Sequence, residues 1–172
     1  MMLIAPISHL AEIDLSEANK ALVAWGHKMG PCNRPNGDMW AHGLFAHGRL
    51  AAVAIGSALI SANVAGISRQ DAFELARLCA ARPDLCRVML RLWREFAFPD
   101  LCRAKGWTWA ISYQDEALHS GDTYRFDGWL MLKEHARSGT DQRSGRKGRS
   151  KTIWGWHSDP EIRRAMRAAS NG

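Results

Sequence analysis

The run from Phe73 to Tyr113 constrains the fold more than any other part of the chain, because it reads as strand, helix, strand. The helix is the clearest element. Pro83 suits a first helical position, and Leu85, Val88, Met89, Leu92, Trp93 and Phe96 follow at helical spacing, with Arg87, Arg91, Arg94 and Glu95 on the other face. Pro99 must kink or interrupt this helix, and Gly106 is a C-terminal stop. Phe73–Cys79 before it and Trp107–Tyr113 after it read as strands, the second with Trp107, Trp109 and Ile111 on one face. The Glu and Arg of Phe73–Cys79 leave a helical reading of that piece open. A helix between two single strands demands a parallel crossover, which requires a sheet with helices packed on it.

The rest of the chain adds antiparallel partners. Asp14 to Lys28 reads as a helix with Ser16 as N-cap and an apolar stripe of Ala18, Ala21, Leu22 and Trp25, ended by Gly30-Pro31. A loop covers Asn33 to Asp38. Ala41–Ala46 and Arg49–Gly56 form a hairpin turning at His47-Gly48. Leu59 to Gln70 is a loop with an extended piece, Asp122–Phe126 a short helix stopping at Gly128, and Trp129–Lys133 and Thr152–Trp156 final strands. The expectation is one α/β domain over residues 1–172, a mixed sheet of six to seven strands flanked by helices. A flexible basic loop is expected at about 137–151 and a basic tail at about 159–172.

No apolar run is long enough to span a bilayer, and Met1–Leu10 lacks the pattern of a signal peptide. The four cysteines, Cys32, Cys79, Cys86 and Cys102, make no C-x-x-C pair and read as reduced thiols, so the expected compartment is the cytoplasm, with no membrane partner. Charge is uneven. Residues 1–132 hold 13 Lys+Arg against 13 Asp+Glu, and residues 133–172 hold 10 against 4, so the net +6 lies in the last 40 residues. That asymmetry fits a polyanion such as DNA as partner, and equally a solvated tail. Arg143, Arg146, Lys147, Arg149 and Lys151 are the candidate phosphate contacts, with Trp154 and Trp156 beside them for base stacking or for the core.

Four stretches carry a resemblance. Gly121-Asp122-Thr123-Tyr124-Arg125-Phe126-Asp127-Gly128-Trp129 and the hairpin from His42 to Ala54 resemble the late motif and the second and third strands of the GNAT superfamily of acyl-CoA-dependent transferases. Phe73–Cys79, Ile111–Asp115 and the Tyr124 motif together resemble the phage and mobile-element branch that includes the Mom DNA-modification proteins.

The resemblance implies a GNAT-like fold over residues 14–135 and an acyl group moved from acetyl-CoA or a related thioester to an amine, which in the Mom branch is adenine in DNA. It puts Tyr124 at the superfamily's acid position, where a phenol protonates a leaving thiolate. It assigns the donor to the strand end and turn holding Leu78, Cys79, Arg82, Cys86 and Arg87. That turn has no glycine, and Asp84 puts a negative charge in the first helical turn, where an anion would bind. Glu74 is a general base or an exposed strand carboxylate. Asp115, after a strand, orients an amine, helps hold a metal or only forms a turn. No His or Cys spacing indicates a metal site. Cys86 lies near a helix N-terminus, which lowers a thiol pKa, and is read as packing. Two further functions stay open: a nucleic-acid-binding protein that keeps the scaffold without catalysis, and a small-molecule or peptide N-acetyltransferase.

Overall fold

The computed structural model describes residues 8–34, 37–137 and 148–170. In chain order the elements are β1 (Ser8–Ile13), α1 (Leu15–Ala24), β2 (Met39–Ala46), β3 (Arg49–Ala58), β4 (Asn63–Val64), β5 (Ile67–Ser68), β6 (Ala72–Ala80) and α2 (Asp84–Leu92). A π-helical turn (Trp93–Ala97), α3 (Phe98–Lys105), β7 (Trp109–Asp115), α4 (Asp122–Asp127), β8 (Leu130–Arg137), β9 (Ser150–His157) and α5 (Pro160–Ser170) follow. Seven strands make one mixed sheet in the order β1-β2-β3-β6-β7-β9-β8, and β4 and β5 pair separately. The expected strand, helix, strand core is present: β6 and β7 are parallel, pairing Ala72 with Trp109, Phe73 with Ala110 and Glu74 with Ile111. By contact the chain forms two compact units.

The first unit comprises Met1–Ala58 and Leu75–Leu101. β1, β2 and β3 are antiparallel, and the hairpin turns at His47 (φ 50°) and Gly48 (φ 72°), two positive values that match strand twist. β1 was not expected. It is an edge strand with a largely exposed side-chain pattern, so alternation is weak in its sequence. α1 buries Ala18, Ala21 and Leu22 against Ala41, Val53 and Ile55, the stripe read from the sequence. Its N-cap is Asp14 rather than Ser16. It ends at Ala24, short of Lys28, because Gly26 turns left-handed (φ 67°) and His27 N–H closes onto Leu22 carbonyl at 2.9 Å.

The long amphipathic helix buries its expected Met89 and Trp93 and then changes face. Pro99 lacks an N–H, and its ring crowds the carbonyl four residues back, at Glu95. The chain answers with the π turn over Trp93–Ala97, which admits one extra residue. Beyond it Ala97, Phe98 and Leu101 take the buried face, while Phe96 is left 62% exposed and Val88, before the turn, 45%. Arg94, expected outside, is buried and paired with Glu95.

The second unit comprises Leu59–Glu74 and Cys102–Gly172. The extended piece expected in Leu59–Gln70 is the β4–β5 hairpin, turning at Ala65 and Gly66. β7 and β8 flank β9, both antiparallel to it. Alternation gives this sheet two faces. One carries Ala72, Ile111, Tyr113 and Ile153 in an apolar cluster with Leu59 and Val64. The other carries Ser112, Gln114, Trp154 and Trp156. Trp107 does not share a strand face with Ile111; it precedes β7 and packs on Phe73, centroids 5.1 Å apart. The stretch expected as a basic tail holds α5, which packs on β9 and β8 and sets Arg163 over the Trp156 ring at 4.0 Å.

Candidate active site

Tyr124 sits in a cradle built by two glycines and two tryptophans. Gly121 and Gly128 flank α4 at φ 81° each, so a six-residue helix starts and stops within two tight turns. Arg167 of α5 donates to the Gly128 carbonyl. The Tyr124 ring stacks on Trp154 (5.7 Å, 15°) and meets Trp129 edge-on (5.5 Å, 73°). Its hydroxyl lies 2.7 Å from Ser112 Oγ. The cradle has a second layer. Trp154 Nε1 donates to Gln114 Oε1 at 2.8 Å, Gln114 Nε2 donates to the His119 carbonyl at 2.6 Å, and Trp129 Nε1 donates to Asp127 at 3.2 Å. Two indoles, each held by a buried acceptor, therefore fix where the phenol points.

Asp115 and Glu74 lie on the other face of the sheet. Strand alternation puts Asp115 with Ile111 and Tyr113, opposite Ser112 and Gln114, and Glu74 with Ala72 and its register partner Ile111. Asp115 is held in place by Arg149 at 2.8 Å and by the Ala117 N–H at 3.1 Å, and the Arg149 hydrogen bond pulls its carboxyl below the ordinary range. It is a tethered turn carboxylate. No group of three or more His, Cys, Asp or Glu that could hold a metal forms among the described residues. Glu74 is buried, so the reading of it as an exposed strand carboxylate is corrected.

Sequence reasoning passed over Glu116, Ser112 and Gln114. Glu116 accepts from Ser150 Oγ (2.6 Å), Thr152 Oγ1 (2.9 Å), and both the N–H and the ring Nδ1 of His135 (2.9 Å each). The Ser150 bond leads in drawing its carboxyl down to about 2. His135 reaches it from a bulge in β8 at φ 50°. The partners are 19 to 36 residues away in sequence, and no local pattern announces them.

The turn after β6 belongs to the first unit. Leu78 and Cys79 end the strand, and Ala81 N–H is spent on the Ala51 carbonyl at 2.9 Å. Arg82 forks onto Asp84 through two bonds, 3.1 and 2.6 Å, in a solvent-exposed pair. The Arg82 bond keeps the Asp84 carboxyl below its usual range, so it is charged at neutral pH. Arg87 is exposed on the first turns of α2. Cys86 is not an activated thiol: burial pushes it up to about 11, overriding the helix N-terminus. A shallow groove along α1, lined by Leu15, Asn19, Lys20 and Val23, holds none of the expected site residues.

The basic segment is only partly described. Arg143, Arg146 and Lys147 lie outside the described residues. Arg149 is tied to Asp115, and Lys151 stands over the Tyr113 ring at 5.6 Å. Trp154 and Trp156 are buried, 3% and 7% exposed, so they are core and Tyr124 support, not a stacking platform for bases. No helix among the described residues is long and apolar enough to cross a membrane.

Comparison by sequence finds no matching family model and no matching curated protein. Comparison by structure finds acetyltransferases. The chain is similar to the ribosomal-protein-S18-alanine N-acetyltransferase of Escherichia coli, with a TM-score of 0.57, 13% identity, and 88% of this chain and 94% of that one covered. It is similar to yncA of Salmonella typhimurium, solved with its cofactor acetyl-CoA, with a TM-score of 0.57, 11% identity, and 90% and 96% covered. It is also similar to the dodecameric spermidine N-acetyltransferase of Vibrio cholerae, with a TM-score of 0.59, 8% identity, and 92% and 98% covered. The chain has the GNAT fold.

Proposed function

We propose that this chain, on a GNAT fold, transfers an acyl group from a coenzyme A thioester to an amine, with Tyr124 as the general acid. The observation that carries the reading is the Tyr124 hydroxyl, oriented by Ser112 and by two tethered indoles at the end of a glycine-capped helix. A phenol this restrained keeps its proton in one place, which is what general acid catalysis asks of a side chain. The donor supplies the activated acyl carbon and a thiolate leaving group. Tyr124 Oη gives its proton to the departing sulfur, and the amine's proton leaves to solvent or a base. Glu74 and Asp115 lie on the opposite sheet face from Tyr124, and no role is assigned to them in this step.

The turn after β6 fits the donor's phosphates through side chains rather than backbone. It has no glycine, and Ala81 has already spent its N–H. Arg82 and Arg87 supply the cations. Asp84 now occupies the Arg82 fork, but a solvent-exposed ion pair is weak, so a pyrophosphate can take its place. This predicts an inversion of the usual mutational pattern. Asp84→Asn should tighten coenzyme A binding by about fivefold, since it removes one like charge at contact range. Arg82→Ala should weaken it by about tenfold or more. Isothermal calorimetry with coenzyme A decides the matter, and no heat from any of the three proteins would remove the donor assignment.

The acceptor amine we propose is carried on an acidic molecule. The +6 in residues 133–172 attracts an anion and repels a polyamine. An adenine amine in DNA, as in the Mom branch, meets this requirement. A second reading, nucleic-acid binding without catalysis, draws on Asp84 in the donor turn; it predicts DNA binding with no thiol release from any thioester.

A further inference from the structure

We propose that Ser112 is a positioning residue for Tyr124, its hydroxyl donating to Oη so that the phenol's own proton is left for transfer. The inference rests on the reading of Tyr124 as the acid. The two oxygens are 2.7 Å apart, the usual O–H···O separation, and either could be the donor. Chemistry selects the direction. When Tyr124 releases its proton, Oη becomes an anion in a half-buried place, and an anion there is stable only with a donor already aimed at it. Ser112 is that donor. It is 2% exposed on β7, directly opposite Trp154 in the β7–β9 register, and the Trp154 and Trp129 rings hold Oη within its reach. The proton travels from Tyr124 Oη to the leaving sulfur; the Ser112 O–H bond stays intact and no other group is consumed.

The sequence makes the test direct, because the chain has two tyrosines, Tyr113 and Tyr124. In a Tyr113→Phe background, ultraviolet absorbance of tyrosinate reports Tyr124 alone, and Tyr124→Phe in that background should abolish the signal. Ser112→Ala should raise the Tyr124 midpoint by about one unit, the size of a lost hydrogen bond to a charged oxygen. Ser112→Thr, which keeps the hydroxyl, should titrate like the parent. Ser112→Val, isosteric with it but lacking the hydroxyl, should titrate like Ser112→Ala and gives the same comparison should the alanine variant fold poorly. An upward shift supports the inference. No shift, or a downward one, overturns it, since the phenol would then be uncoupled or donating to Ser112. The titration needs no turnover, so it is separate from the acyl-transfer reading, which falls if no thiol is released from acetyl-CoA with any acceptor.

Discussion

Tyr124→Phe should fold like the parent and lose acyl transfer by about a hundredfold or more. Phenylalanine keeps the ring that stacks on Trp154 and abuts Trp129, so the cradle stays filled. What leaves is one hydroxyl, and with it the bond to Ser112. For stability a hydrogen bond of this kind contributes about 1 kcal/mol. For rate, loss of a positioned general acid takes away roughly 10²–10⁴, or about 3–5 kcal/mol of barrier. The rate effect therefore exceeds the stability effect, and steady-state turnover beside a thermal melt separates them. A melt lowered by tens of degrees with the rate per folded molecule intact would make Tyr124 a packing residue.

Gly121→Ala should destabilise the second unit more than any other single methyl. Gly121 has φ 81°, a region that costs an L-residue about 1–2 kcal/mol. Its added Cβ would fall well inside contact distance of Gln114 Oε1 and 2.9 Å from Trp154 Cζ2. Neither neighbour can give way cheaply. Gln114 is buried and bonded at both ends of its amide, to Trp154 and to the His119 carbonyl. Overpacking of this kind costs about 1–3 kcal/mol, for a total of roughly 2–5 kcal/mol and a fall in melting temperature on the order of 10 °C. Gly106→Ala is the control. It shares the positive φ, at 76°, but its Cβ would meet nothing within 4 Å, so it should lose only the backbone part. Equal losses in the two variants would mean that Gly121 is required for its φ alone, and that the Gln114–Trp154 lock contributes nothing measurable.

What the sequence made legible was local or periodic. The His47-Gly48 hairpin and the Gly128 stop of α4 were readable because particular residues suit particular dihedral angles. The parallel β6–β7 pair followed from element order. Phe96 was misread as core because apolar spacing assumes uniform helical turns, and the π turn before Pro99 breaks that assumption. β1 and α5 were missed for a related reason: one is an edge strand with little alternation, the other a helix with no buried residue among those whose burial is described. Of the cradle, the Tyr124 motif was the part singled out from the sequence. Ser112 lies 12 residues from Tyr124, and the Gln114–Trp154 bond behind the ring joins residues 40 apart, so no local pattern announces them. Asp115 read as a turn residue among its alternatives, and its tether to Arg149, 34 residues away, had no local signal.

The central claim is that this chain moves an acyl group from a thioester to an amine, and release of free thiol from acetyl-CoA tests it most directly. The purified full chain, incubated with acetyl-CoA and in turn with single-stranded DNA, an acidic peptide with a free amine, and spermidine, should release thiol with at least one acidic acceptor. The acceptor's mass should rise by one acetyl group, and Tyr124→Phe should suppress both signals. Thiol release with spermidine alone would keep the transferase and overturn the acidic acceptor. No thiol release and no mass change with any acceptor, from a protein that melts cooperatively and binds DNA, would contradict the account and leave a GNAT scaffold that binds nucleic acid without catalysis.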